Sequence, residues 1–443
     1  MSEVLYKRIM GTVMITVGFI SLMMPNLIYK FIIYGAFAMI CVNAVSRIYM
    51  GIVKKSREDL FTGLLSAGFA VILCFYSYLP MLVIQIIFGV YCLLICLSMT
   101  LQELLYIYNG EKTKLLEWAM SISYLVIGLM LIFSPRMSTE LLLNLFGVYF
   151  VLLGIRYFTD AVELEDPGYR WHSRFHISLP TALAAFIPSI YLNSINKMFQ
   201  KVDKSKSVPI LRDDQEPPLK VMVHIGPEGL QTVGHMTLAW KGLVYSYGNY
   251  DTSSSAMMGM LGDGCLFLVP FERYIPNLMR YEQNTIFEYG IQVTPEQEKE
   301  LEAQLAKIRA NTYRWYSKLE YKNDLENFEK YESDYPSRLW YRTGAKFYKF
   351  KRGRLKTYWV LGENCSRFVD QTLGVISTDV LSIRGIVTPG SYFDYLQNEY
   401  LKDNTPVVSC VIHPRERSES EEKEKRKKGK REKKQRGKGV EAK

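Results

Sequence analysis

The stretch Tyr358-Trp359-Val360-Leu361-Gly362-Glu363-Asn364-Cys365-Ser366-Arg367-Phe368-Val369-Asp370 decides how the second half of the chain is read. Residues 358–361 are aromatic and aliphatic and predict a short strand, which Gly362 breaks. Glu363 and Asn364 form the turn, and Asn364 is a good N-cap. From Cys365 the spacing of Phe368, Val369 and Leu373 is helical, with Gly374 as the stop. A cysteine in the first turn of a helix faces unpaired backbone N–H groups and the positive end of the dipole. Both favour the thiolate, which is the nucleophile. Most free cysteines are simply small buried hydrophobes, so the assignment needs a partner.

The partner candidate lies in Val233-Gly234-His235-Met236-Thr237-Leu238-Ala239-Trp240. Gly234 permits a tight approach, and His235 opens a strand of alternating character. A second strand follows at 243–247 after the turn Lys241-Gly242. A histidine at a strand mouth is suited to act as general base for a cysteine at a helix start. The chain holds five histidines. His172 and His176 adjoin the apolar half, His224 lies inside an apolar strand, and His413 starts the tail. Only His235 has a glycine-led, motif-like setting.

Histidine before cysteine reverses the papain order, but catalytic geometry recurs with different chain orders. Gly234-His235, Tyr245-Ser246-Tyr247-Gly248-Asn249-Tyr250-Asp251 and Glu363-Asn364-Cys365-Ser366 together resemble the Lnb-type lipoprotein N-acyltransferase domain. That domain is itself similar to circularly permuted NlpC and papain-type thiol enzymes. The resemblance spans about 219–375 and includes 267–274 and the helix opening at Ile291-Gln292-Val293-Thr294-Pro295-Glu296-Gln297. It implies an α+β permuted papain-like fold and a thiol acyltransferase.

The expected mechanism is acyl transfer. His235 takes the Cys365 proton, the thiolate attacks an ester or amide carbonyl, and an amine or water resolves the thioester. The Cys365 backbone N–H is placed to donate to the oxyanion, with help from Asn364. The orienting residue should come from the strand after His235, where Ser246 and Tyr247 are the choices. Tyr247 is favoured, because its phenol can reach an imidazole nitrogen.

The 443 residues suffice for two or three domains, and the composition divides sharply. Residues 1–162 are apolar in long runs, whereas the remainder is mixed, Tyr-rich and ends in charge. Of seven cysteines, Cys41, Cys74, Cys92 and Cys96 lie in the apolar part. Cys265, Cys365 and Cys410 have no zinc-ligand spacing, so no metal site, cofactor or disulfide framework is expected.

Apolar runs at 10–24, 27–45, 60–78, 81–99, 115–133 and 141–157 each approach the roughly 20 residues needed to cross a bilayer. The first lacks a cleavage site and reads as a membrane helix. Pro25, Pro80 and Pro135 sit in tight connections 55 residues apart, so the six runs form three helix-pair repeats. Gly35, Gly89 and Gly147 recur in the second members as expected close-packing sites. Residues 1–162 resemble the HdeD-like short-repeat membrane family, which carries over no activity. Arg47, Lys54, Lys55, Arg57, Lys112, Lys114 and Arg156 populate the longer loops and the exit, which places the N-terminus in the cytoplasm.

The connector, 163–198, contains an uncharged run at 178–195 with Pro180 and Pro188. It reads either as a seventh membrane helix or as an interfacial helix. Small residues on its second face favour insertion, whereas Lys197, Lys201, Lys204 and Lys206 oppose it. A seventh span is the expectation, and it puts the catalytic domain outside the cytoplasm. Residues 199–218 read as a linker and 219–414 as the thiol domain. Thr294, Pro295 and Gln297 start a helix to Ala310. Residues 314–341 form either a cover over the cleft or a solvated helical insertion, and 407–412 form a last strand. The tail, 415–443, holds 14 Lys/Arg against 7 Asp/Glu and supplies +7 of the net +10. It is expected to be disordered, with lipid headgroups or another anionic polymer as partner. Nucleic acid is disfavoured, because no aromatic-lined basic domain accompanies the tail.

Three function classes follow. One is an acyltransferase on membrane lipid or lipoprotein, and a second is a cysteine peptidase or amidase on cell-wall peptides. The third is a non-catalytic membrane scaffold or binding protein in which Cys365 and His235 are core residues.

Overall fold

The computed structural model describes residues 3–53, 55–76, 79–165, 208–211, 216–226, 234–374, 388–401 and 405–416. The chain divides into a helical N-terminal unit and a C-terminal unit. The 178–195 run, His172, His176 and the tail beyond residue 416 fall outside the described residues.

The first unit comprises α1 (Glu3–Met23), α2 (Pro25–Val53), α3 (Arg57–Phe75), α4 (Leu79–Tyr108), α5 (Leu115–Phe133) and α6 (Pro135–Glu165). Among the described residues, six helices are long and apolar enough to cross a membrane, where a helix satisfies every backbone polar group internally. Pro25 and Pro135 open their helices, a position where the missing N–H costs nothing. The second member of each pair is about ten residues longer than the first, at 29, 30 and 31 residues against 21, 19 and 19.

The proline-linked neighbours are not the tightest partners. α1 packs mainly on α6, α2 on α3 and α4 on α5, so each odd helix meets the even helix before it in cyclic order. Small residues make these approaches possible. A Cβ at Gly89 would lie 3.1 Å from the Gly128 carbonyl, and one at Gly128 would lie 3.1 Å from the Gly89 carbonyl. Gly18 and Gly147 face each other in the same reciprocal way at 2.7 and 3.0 Å. Gly35 departs from the expectation: nothing lies within 4 Å of its added Cβ. Polar groups tie the same seams, with Ser21 Oγ donating to the Leu143 carbonyl at 2.8 Å and Arg47 pairing with Asp59 at 2.6 Å.

The second unit is built on a nine-stranded antiparallel sheet, ordered β1-β11-β7-β2-β3-β4-β6-β9-β8. Its strands are β1 (Val208–Leu211), β2 (Leu219–Ile225), β3 (His235–Trp240), β4 (Leu243–Gly248), β6 (Cys265–Pro270), β7 (Thr285–Ile291), β8 (Thr312–Trp315), β9 (Lys346–Phe350) and β11 (Val407–His413). A separate ribbon pairs β5 (Leu261–Asp263) with β10 (Thr357–Trp359). The β3–β4 hairpin turns at Lys241 (φ 47°) and Gly242 (φ 79°), the doubly left-handed turn that matches strand twist.

Helices cover both faces of the sheet. α8 (Pro295–Ala310), α11 (Cys365–Leu373) and α12 (Pro389–Leu401) share a core with Leu219, Val221, Val223, Met236, Leu238, Tyr245 and Tyr247. α7 (Phe271–Arg280) and α10 (Tyr335–Thr343) pack on Met222, Ala239, Val244 and Phe267. This two-sided cover buries nearly every residue of β2, β3 and β7, whatever their sequence alternation. The Thr294 capping box of α8 is complete, with Gln297 N–H on Thr294 Oγ1 and Thr294 N–H on Gln297 Oε1.

Three boundaries differ from the sequence reading. The linker expected at 199–218 contains β1, an edge strand on β11 where Pro209 is tolerated. His413 belongs to β11 and bonds Glu288 at 2.6 Å rather than opening the tail. Arg415 and Glu416 remain bound to the domain through Thr285 Oγ1 and the Met279 carbonyl. Residues 314–341 contribute β8, α9 (Lys318–Lys322) and most of α10, and they bury Tyr335 behind the site.

Candidate active site

Cys365 is the first residue of α11. Asn364 caps the helix in extended backbone (φ −114°, ψ −176°), its Oδ1 accepting from Arg367 N–H at 3.0 Å. Asn364 Nδ2 donates to the Val360 carbonyl at 2.9 Å. One of the two amide hydrogens is thus used in shaping the turn. Before it, Glu363 is fully buried, with Gln371 Nε2 at 3.1 Å and Arg367 Nε at 3.4 Å. These contacts fix the strand-to-helix turn and so the direction of the Cys365 side chain.

His235 is the first residue of β3, after Gly234 at φ +96°, a backbone that suits glycine. Because the sheet ends there, its imidazole can meet groups from both faces. Nε2 lies 2.9 Å from Ser246 Oγ and 3.0 Å from the Tyr250 hydroxyl, and those two oxygens are 2.7 Å apart. Cys365 belongs to the opposite face of the sheet and is coupled electrostatically to His235. Burial alone pushes the Cys365 thiol up. The charge and hydrogen bond of His235, with the Met236 N–H, outweigh it and hold the thiol below the ordinary value. The other two cysteines of this unit have no such partner, and burial pushes Cys265 and Cys410 up to about 12 each.

Tyr247 does not occupy the place expected of it. It precedes Gly248 on the strand face opposite Ser246, donates its hydroxyl to the Leu355 carbonyl at 3.1 Å and stacks on Phe368 at 5.5 Å. Alternation along a strand sends neighbours to opposite faces, so only one of Ser246 and Tyr247 can point towards Nε2. Tyr250, a residue the sequence reading left without a role, joins Ser246 there. It lies beyond the end of β4, where no periodicity marks its direction. Its ring stacks on Tyr335 at 5.5 Å, and burial holds its phenol well above the usual value.

His224 also went unnoticed, as one more residue of an apolar strand. It is the cross-strand neighbour of His235, with ring centroids 5.9 Å apart. Its Nε2 sits 2.7 Å from Thr237 Oγ1, and burial first, then the charges of His235 and His413, keep it well below the usual value and so neutral. Asp251, the last residue of the tyrosine-rich motif, braces the loop after β4 through Lys349 at 2.6 Å, which also holds Asp263 at 2.7 Å. Among the described residues no group of three or more His, Cys, Asp or Glu could hold a metal.

Cys365 is 4 % exposed, whereas His235 and Tyr358 beside it are half-buried. The arrangement supplies a lowered thiol, an imidazole coupled to it and two hydroxyls that hold the imidazole.

Residues 119–187 match the family described as a short repeat of unknown function (DUF308). No curated protein and no solved structure matches the chain. The match begins within α5, covers α6 and continues into residues beyond the described part. It agrees with the repeat reading of the N-terminal half, and with the six apolar helices it indicates an integral membrane protein carrying a C-terminal α+β unit.

Proposed function

We propose that this chain is a membrane-anchored thiol enzyme that transfers or hydrolyses acyl groups by a Cys365–His235 mechanism, with membrane lipid or lipoprotein as substrate. The carrying observation is the placement of Cys365 at a helix start and of His235 at a strand start, its Nε2 held by Ser246 and Tyr250, with His235 lowering the Cys365 thiol against burial. Cys265 and Cys410, buried with no histidine among the groups that shift them, are raised instead.

In this reading Nε2 is held by Ser246 and Tyr250, which leaves Nδ1 to face the sulfur. His235 takes the thiol proton, and the thiolate attacks the carbonyl carbon. The Cys365 N–H, unpaired at the helix start, receives the developing oxyanion. Collapse expels the alcohol or amine, which takes the proton back from His235, and an amine or water then cleaves the thioester. The resemblance to the Lnb-type, permuted papain-like domain supports an outward-facing lipoprotein substrate. The membrane helices add a physical reason, since lipid substrates are confined to the same plane.

The test is to incubate full-length protein in detergent with phosphatidylethanolamine and measure the mass of the Cys365 peptide. A hydroxylamine-sensitive fatty-acyl adduct, absent in Cys365→Ser and His235→Ala, is the expected result. Cleavage of a muropeptide without any lipid adduct moves the assignment to the peptidase or amidase class. Neither reaction, with Cys365 no more reactive than Cys265, leaves the binding or scaffold reading.

A further inference from the structure

Tyr358 is the middle residue of β10, and its cross-strand partner is Gly262, which offers no side chain to pack against. Its ring turns instead to Tyr247, with centroids 5.7 Å apart, and packs against the core cluster that contains Cys365 and Phe368. Phe368 lies one helical turn after Cys365 and carries the stacked Tyr247 ring. Tyr247 thus bridges Tyr358 to the first turn of the nucleophile helix.

The backbone between Tyr358 and Cys365 is tightly pinned. Trp359 N–H donates to the Glu363 carbonyl at 3.1 Å, Gly362 N–H to the Trp359 carbonyl at 2.9 Å and Val360 N–H to the Met260 carbonyl at 3.0 Å. With Glu363 buried against Gln371 and Arg367, the turn holds Tyr358 and Cys365 in one fixed relation.

Tyr247 and Tyr358 differ in what their hydroxyls do. Tyr247 is sealed and donates to Leu355. Tyr358 is half-buried, and its hydroxyl has no hydrogen bond among the described residues. Burial, then the negative charge of Cys365, keep the Tyr358 phenol well above its usual value. It therefore keeps its proton at the pH where Cys365 becomes a thiolate.

We propose that the Tyr358 hydroxyl is the second hydrogen-bond donor to the oxyanion formed when Cys365 attacks an acyl carbonyl, beside the Cys365 backbone N–H. This rests on the acyl-transfer reading and adds a catalytic residue to it. The thiolate electron pair forms the C–S bond while the carbonyl π pair moves onto oxygen. Tyr358 donates a hydrogen bond to that oxygen and keeps its proton. On collapse the pair returns to the carbonyl, the bond to the leaving group breaks, and the leaving group takes its proton from His235. A neutral phenol suits this task, because it stabilises charge that develops only in the transition state and intermediate.

Two reagents separate this role from a structural one. p-Nitrophenyl acetate acylates a thiolate through an oxyanion, whereas iodoacetamide alkylates it by direct displacement without one. Both rates are measured at Cys365, by mass of its peptide, in the full chain in detergent. In Tyr358→Phe the acylation rate should fall about 10²-fold while alkylation stays within about twofold. Unchanged acylation, or both rates falling together, overturns the proposal. A wild-type Cys365 that is alkylated but never acylated instead refutes the acyl-transfer reading itself. Tyr247→Phe, which lacks the free hydroxyl, should leave the acylation-to-alkylation ratio as it is.

Discussion

His235 Nε2 lies 2.9 Å from Ser246 Oγ, across the end of two neighbouring strands, with the Tyr250 hydroxyl completing a triangle. The imidazole is thus oriented by neutral hydroxyls, and no carboxylate is among these contacts. Each hydroxyl can donate to a bare nitrogen or accept from a protonated one, so the same pair serves both states of the base.

Removing either hydroxyl should slow iodoacetamide capture of Cys365. One hydrogen bond contributes about 1 kcal/mol, so Ser246→Ala or Tyr250→Phe should each cost about fivefold. The double variant should lose more than either, whereas Tyr247→Phe should match the wild type. Equal slowing by Tyr247→Phe and Ser246→Ala would show that packing, not the Nε2 contact, governs the thiol.

The pH dependence of alkylation follows from the direction of each thiol. Cys365 lies below the ordinary value, so its rate should rise with pH through a midpoint lower than that of a free cysteine and then level off. In His235→Ala the largest lowering influence is gone, so burial weighs more and the midpoint should move upward. At pH 7, Cys265 and Cys410, near 12, should be at least roughly a thousandfold less ionised than Cys365. Simultaneous labelling of all three in folded protein contradicts a tuned thiol.

Helix packing in the membrane unit is tested by adding bulk at glycines. Gly89→Val meets Ile132 Cγ1 at 2.6 Å and Gly147→Val meets Leu22 Cγ at 2.7 Å, so each should destabilise the unit by about 1–3 kcal/mol. Gly35→Ala enters open space and should be neutral. Thermal denaturation in one detergent measures all three. A destabilised Gly35→Ala beside a neutral Gly89→Val would reverse the packing assignment.

Sidedness bears most directly on substrate. An even number of crossings returns the chain to the cytoplasm, and one further crossing at 178–195 places Cys365 outside. With all seven native cysteines replaced, Ser207→Cys should react with a membrane-impermeant maleimide in intact cells. Protection until the membrane is opened puts the domain against the inner leaflet and removes both lipoprotein and wall peptides as substrates.

Local signals and their limits can be seen residue by residue. The six apolar runs, the 55-residue proline period, the Thr294 capping box and the Asn364–Cys365 helix start are all contained in short stretches of chain. Propensity, capping and bilayer-length hydrophobicity act over a few turns, so sequence alone determined them. It also determined that His235 opens a strand, because Gly234 and the alternation after it are local.

Tertiary structure decided which neighbours these elements meet. Nothing local says that α1 closes on α6 rather than on α2, since lateral packing depends on shapes far apart in the chain. β1 reads as a polar linker until β11, about 200 residues later, offers its edge. Period-two alternation states that Ser246 and Tyr247 face opposite ways, but only the sheet order decides which side receives the His235 ring. Tyr250 reaches the imidazole from beyond the strand end, through a bend that carries no repeating pattern. The surroundings of His235 are a property of non-local packing, whereas Cys365 at its helix start and His235 at its strand start were marked by their own immediate neighbours.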